Sequence, residues 1–179
     1  HGTFSKVKYP TLSGTSVSRD FVEFPSTFEE DWAMYPEVIA NYAKHHKTGE
    51  PIPDELLEKV IQSRSFNQGF DTLEYVAAAL LDMEWHSLSA DAPLQDIEKF
   101  EEQALTKHGV NVPFVPPRYK SAFFSHSMGG GYSAGYYAYM WSEILAADAF
   151  AYVQEQGGLT REMGEKYRKE ILEVGNSRD

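Results

Sequence analysis

The chain has 179 residues, 42% of them apolar, and 16 basic against 27 acidic side chains give a net charge of −11. That length suffices for one domain with a substantial core, and the acidic balance argues against a nucleic-acid surface, which needs clustered Lys and Arg. The absence of cysteine excludes disulfides and thiolate metal sites and leaves the redox compartment open, while no apolar run reaches the roughly 18 residues that would span a membrane.

In chain order, Pro10 to Ser18 is rich in turn formers and reads as a loop. Pro25 disfavours the α conformation at Phe24, so any helix over Asp20–Ser26 is short or distorted. Ser26, with Glu29 at capping-box spacing, is expected to cap a helix running to about Tyr42. That helix turns Phe28, Trp32, Tyr35 and Val38/Ile39 inward, and Pro36 kinks or splits it. His45 to Pro53 is a linker, so the adjacent His45 and His46 read as solvated loop residues.

Pro53, Asp54 and Glu55 open the next helix, to about Ser65. A long apolar helix follows to about Ser87, with Leu73, Val76, Ala77, Leu80, Leu81 and Met83 buried and His86 at its end. Leu94 to His108 is another helix, stopped by Gly109. Val110 to Arg118 carries three prolines and is irregular. A helix from Tyr132 to Gln156 ends at Gly157-Gly158, and Thr160 caps a last helix reaching about Val174. There is no period-2 strand pattern, no repeat at a fixed period and no domain-sized linker. The expectation is one all-α domain over residues 1–179.

The most unusual stretch is His126-Ser-Met-Gly-Gly-Gly-Tyr132-Ser-Ala-Gly-Tyr136-Tyr-Ala-Tyr139. In a helix at about 100° per residue, Tyr136 and Tyr139 lie roughly 40° and 20° to either side of Tyr132. Three phenols then share one face, with Tyr137 elsewhere. A phenol titrates near about pH 10, so each is a hydrogen-bond donor at neutral pH. Such donors beside a histidine suit a developing oxyanion; the competing reading is a tyrosine-lined packing seam. The glycines are not a P-loop, lacking the Gly-Lys-Ser/Thr ending, and no His-Glu-x-x-His is present. Glu23, set among Phe21, Val22 and Phe24, is an acid in apolar company. It either ligates a metal or pairs with Arg19.

Several segments together resemble the thimet-oligopeptidase-like zinc peptidases. They are His1-Gly-Thr-Phe4, Leu12-Ser-Gly-Thr15, Arg19-Asp-Phe-Val-Glu23-Phe-Pro-Ser26, Trp32, Phe66-Asn-Gln-Gly-Phe70, Val115-Pro-Pro-Arg-Tyr119 and Phe124 to Trp141. The triple glycine is most similar to the bacterial peptidyl-dipeptidase branch, as are Ala79-Leu-Leu-Asp-Met83, Gln156 to Arg161 and Gly175-Asn-Ser177.

The resemblance implies a helical lobe of a two-lobed enzyme that hydrolyses oligopeptides, releasing C-terminal dipeptides with zinc-activated water. In that family the active helix reads His-Glu-Phe-Gly-His-x-x-His-Gly, and His1-Gly2 match its last two residues. The chain is therefore expected to be an inactive C-terminal fragment, without the two zinc histidines and the catalytic glutamate. By the same match, Glu23 is the third zinc ligand, with Asp20 and Glu30 orienting the ligands. Tyr139 is the first donor to the oxyanion, assisted by His126, Tyr136 and Tyr132, and Arg118 is a candidate for the substrate's C-terminal carboxylate. The expected partners are short peptides and the missing N-terminal part of the same chain, with self-association where apolar surface is uncovered. The compartment expected is the cytoplasm, with the periplasm as alternative. The competing function is a non-enzymatic helical module that binds peptides on the tyrosine face.

Overall fold

A computed structural model describes residues 1–178. It has eight α-helices: α1 (Phe24–Asp31), α2 (Pro36–Tyr42), α3 (Asp54–Ser63), α4 (Gln68–His86), α5 (Ile97–Lys107), α6 (Ser125–Met128), α7 (Ala138–Glu155) and α8 (Arg161–Tyr167). The described residues contain no strand, only isolated bridges at Lys44–Pro51 and Val112–Val115. The fold is all-α, as the sequence implies. No helix among the described residues is long and apolar enough to cross a membrane. The chain divides into two compact units, one made of residues 1–51 and the segment from Ala138 on, the other of residues 52–137.

In the first unit, α1 packs along α7. Phe21, Phe24, Phe28 and Trp32 recur at helical spacing and form a continuous aromatic row, with successive centroids 5.1, 6.0 and 5.9 Å apart. Trp32 meets Phe150 of α7 at 4.5 Å, where Ala146 and Val153 are buried beside it. The inward positions expected at Phe28, Trp32 and Ile39 are buried.

The start of α1 differs from expectation. Ser26 is not the cap; its Oγ donates to the Glu23 carbonyl at 2.9 Å from inside the helix. Residues 18–24 already turn, with the Val22 N–H donating to the Ser18 carbonyl. Pro25 therefore falls in the first helical turn, where its missing N–H has no partner to lose. Pro36 does split the region: α1 ends in a short 3-10 turn over Trp32–Met34, and α2 starts at the proline. Thr160 caps α8, its Oγ1 accepting from the Met163 N–H at 3.2 Å. Beyond Tyr167 the backbone widens into a π-helix, Arg168–Leu172, rather than continuing as α to Val174.

The second unit packs α4 on α5, with Leu81, Phe100 and Ala104 buried together and Trp85 against Phe100 at 3.9 Å. One sequence expectation on α4, a buried Met83, is reversed. Met83 is 41% exposed, while Asp82 is fully buried. Ala78, Leu81, Asp82 and Trp85 stand at i, i+3, i+4 and i+7 and share one face, so Asp82 turns inward and Met83 points away; the continuous apolar run hides that period. Helix α5 starts later than Leu94, at Ile97. Asp96 is its N-cap and accepts from the Lys99 N–H at 3.1 Å.

Candidate active site

The tyrosine segment is not one helix. Residues 129–137 form successive turns, and α7 begins only at Ala138. Ala134 has φ +53, a left-handed conformation that interrupts any helix through it. The shared helical face expected for Tyr132, Tyr136 and Tyr139 therefore does not exist. In its place the second unit gathers His126, Tyr132 and Tyr136 by tertiary contacts.

His126 lies on the single turn of α6, which the glycines close. The Tyr132 N–H donates to the His126 carbonyl at 3.0 Å, folding the chain back onto the histidine. Gly130 is required by this packing: a Cβ there would lie 2.8 Å from the Ser125 carbonyl oxygen and 3.0 Å from the His126 Cα. Gly131, at φ +85, supplies the left-handed turn that follows.

The His126 ring then sits among three phenols. Its centroid is 5.4 Å from Tyr119, 5.8 Å from Tyr132 and 5.5 Å from Tyr136. Phe124, 1% exposed, forms the floor and meets Tyr136 edge-on at 4.8 Å. The Tyr75 hydroxyl donates to the Tyr136 carbonyl at 2.6 Å.

Arg118 joins the same cluster. Its Nε donates to Glu74 Oε1 at 3.0 Å, and its backbone N–H donates to the Glu74 carbonyl at 2.8 Å. The guanidinium also hydrogen-bonds the Tyr136 phenol. Burial raises the Tyr136 pKa above its ordinary value, and the Arg118 hydrogen bond only partly opposes that shift. Tyr136 thus keeps its proton throughout the neutral range. Burial works against the Arg118 charge, but Glu74 and Tyr136 outweigh it, so the guanidinium is held firmly cationic. Of its five N–H donors, those not engaged by Glu74 and Tyr136 remain for an anion.

Glu23, Asp20, Glu30 and Tyr139 belong to the first unit. Glu23 precedes α1, and its Oε2 accepts from Ser26 Oγ at 3.3 Å. His1 Nε2 lies 2.9 Å from the carbonyl of the neighbouring Val22; a carbonyl only accepts, so that nitrogen carries the proton. Asp20 accepts from Ser18 Oγ at 2.5 Å through its carboxylate, and from Ser142 Oγ of α7 at 2.8 Å through its carbonyl. Glu30 is exposed on α1. Tyr139 is half-buried in the first turn of α7.

A protein zinc site takes at least three side-chain ligands. Among the described residues no group of three or more His, Asp or Glu is placed to hold a metal ion. Glu23 offers one carboxylate, so the residues present do not make a zinc site by themselves.

Sequence reasoning missed Asp82, Glu74 and Tyr75. Asp82 accepts from Ser127 Oγ at 2.5 Å and from the N–H groups of Ala134 and Tyr136 at 3.0 Å each. The signal that singled out Glu23, a carboxylate in apolar company, was equally present in Leu80-Leu-Asp-Met83. Tyr119 had entered only as the last residue of a motif.

Comparison with known proteins adds a lineage to this geometry. The sequence matches peptidase family M3 over residues 1–179. It is 50% identical over 179 residues to the dipeptidyl carboxypeptidases of Escherichia coli (strain K12) and Salmonella typhimurium (strain LT2), covering all of this chain and 26% of each relative. It is 37% identical over 182 residues to oligopeptidase A of E. coli, again across the whole chain and 26% of that protein. The chain thus spans about a quarter of the length of these relatives. With every residue inside the match, this chain belongs to peptidase family M3.

Proposed function

We propose that these residues form part of a zinc-dependent peptidyl-dipeptidase and supply the donor side of its active site. The observation that carries this reading is the cluster in which the His126 ring lies within 6 Å of three phenols. The half-identity to two dipeptidyl carboxypeptidases supports the choice of dipeptide release over other peptidase activities. In this reading Tyr139 is the principal donor to the oxyanion formed at the scissile carbonyl, and His126, Tyr136 and Tyr132 add donors around it. Each preorganised donor of this kind lowers the barrier by about 3 kcal/mol. Arg118, kept cationic within the cluster, receives the free carboxylate at the peptide C-terminus.

Glu23 is the single zinc ligand proposed here, with Asp20 and Glu30 orienting the ligand set. The zinc would supply the Lewis acid, and its remaining ligands come from outside these 179 residues. The chain alone is accordingly proposed to be inactive.

The test compares the 179-residue chain with the full-length protein that contains it. The full-length protein is expected to retain stoichiometric zinc and to release dipeptides from an N-blocked oligopeptide. The chain alone is expected to do neither. Tight zinc binding with turnover by the chain alone would overturn the inactive-fragment reading. A full-length protein that binds peptides without cleaving them would leave a peptide-binding module instead.

A further inference from the structure

We infer that Asp82 is a positioning residue for turnover: its buried carboxylate sets the conformation of the 127–136 segment and thereby the aim of His126, Tyr132 and Tyr136. The inference rests on the peptidase reading above.

Asp82 is fully buried, and four groups converge on it. Oδ1 accepts from Ser127 Oγ at 2.5 Å and from the Ala134 N–H at 3.0 Å, and Oδ2 accepts from the Tyr136 N–H at 3.0 Å. His86 Nδ1 lies 2.9 Å from Oδ1 and 2.9 Å from the Asp82 carbonyl. Both neighbours of that nitrogen only accept, so it carries the proton and donates. Oδ1 thus receives three donors and Oδ2 one.

Where these donors sit in the chain gives the carboxylate its leverage. Ser127 is adjacent to His126. Ala134 lies between Tyr132 and Tyr136, and the third bond is to Tyr136 itself. In a continuous helix the N–H groups of residues 134 and 136 would bond to carbonyls four residues back. Here they turn to a side chain of α4, more than 50 residues away in sequence. Ala134 is meanwhile held at φ +53, a conformation an alanine keeps only when its surroundings impose it. The turn has no helix or sheet of its own to define it, and the Asp82 carboxylate takes that part.

Asp82→Asn is nearly isosteric, yet it puts an NH2 group where an acceptor is needed. In either amide orientation at least one backbone N–H of the turn faces a donor. In the full-length protein kcat is expected to fall by about 100-fold, as for a misplacement of reacting groups by about 1 Å, with KM changed by less than about threefold. Amide hydrogen exchange at Ala134 and Tyr136 is expected to quicken by roughly 10- to 100-fold.

Leu105→Ala, a buried deletion on α5, is the control for stability loss alone and should leave kcat within about threefold at 25 °C. An unchanged kcat in Asp82→Asn, or a fall no larger than in Leu105→Ala, would overturn the inference while leaving the peptidase reading intact. A wild-type protein that turns over no peptide would remove both. If Asp82→Asn does not accumulate folded, Ser127→Ala decides. That variant removes one donor to Oδ1 and keeps the carboxylate. A kcat lowered about tenfold at constant KM supports the inference, and an unchanged kcat overturns it.

Discussion

Gly130→Ala tests whether the glycine triplet positions His126 or merely links two segments. A Cβ at residue 130 would stand 2.8 Å from the Ser125 carbonyl oxygen, 3.0 Å from the His126 Cα and 3.3 Å from the His126 carbonyl oxygen. All of these are backbone atoms, so no side chain can swing aside. Opening the two closest contacts to about 3.5 Å requires a relative shift of roughly 0.5–0.7 Å. Overpacking of this kind typically costs about 1–3 kcal/mol. The atoms that must move carry the imidazole, so a half-ångström displacement of His126 should lower kcat by about tenfold. Gly129 is the matched control, because a Cβ there meets nothing within 4 Å. The assay is steady-state cleavage of a blocked oligopeptide by the full-length protein, with denaturant titration for stability. Equal behaviour of Gly130→Ala and Gly129→Ala, or an unaltered kcat in Gly130→Ala, would refute the packing argument.

Two further outcomes follow from the first unit. Burial raises the Tyr167 pKa far above its ordinary value, with the Glu29 charge and hydrogen bond adding to the shift. The folded state therefore holds this proton after the unfolded chain has released it. The associated stability is intact below about pH 10 and declines as pH rises beyond it, by up to about 1.4 kcal/mol per pH unit. Tyr167→Phe, which keeps the ring on Phe28 at 4.7 Å, should flatten that decline in urea titrations across pH 9.5 to 11; an unchanged slope would contradict it. Separately, Trp141 and Ile144 on α7 are 53% and 61% exposed, and the 179-residue chain is expected to self-associate through such surface. Trp141→Ser/Ile144→Ser should shift it toward monomer on sizing chromatography, whereas a wild-type chain that runs as a compact monomer would contradict the expectation.

The helical class was legible in the sequence, as were the break at Pro36 and the Thr160 cap, whereas the start of α1, the start of α5 and the end of α8 fell elsewhere than their spacing implied. The failure at the tyrosine segment has a plain physical cause: local spacing says nothing about acceptors that arrive from elsewhere in the chain. Tyr132, Tyr136 and Tyr139 fit a helical face on paper. The fold instead spends the N–H groups of residues 134 and 136 on Asp82, and the helix cannot start until Ala138. Ser26 had the spacing of a cap, but the turn beginning at Ser18 had already nucleated the helix ahead of Pro25. Within the second unit, His126, Tyr132, Tyr136 and Arg118 do come together, though the bonds that assemble them run through Glu74, Tyr75 and Asp82. Those residues looked like ordinary members of an apolar helix.

The measurement that bears most directly on the donor role is the turnover of Tyr139→Phe in the full-length protein. The substitution removes one hydroxyl and keeps the ring. If Tyr139 donates to the oxyanion, kcat falls by about 100-fold or more while KM stays nearly constant. A kcat equal to that of the wild type would contradict the account.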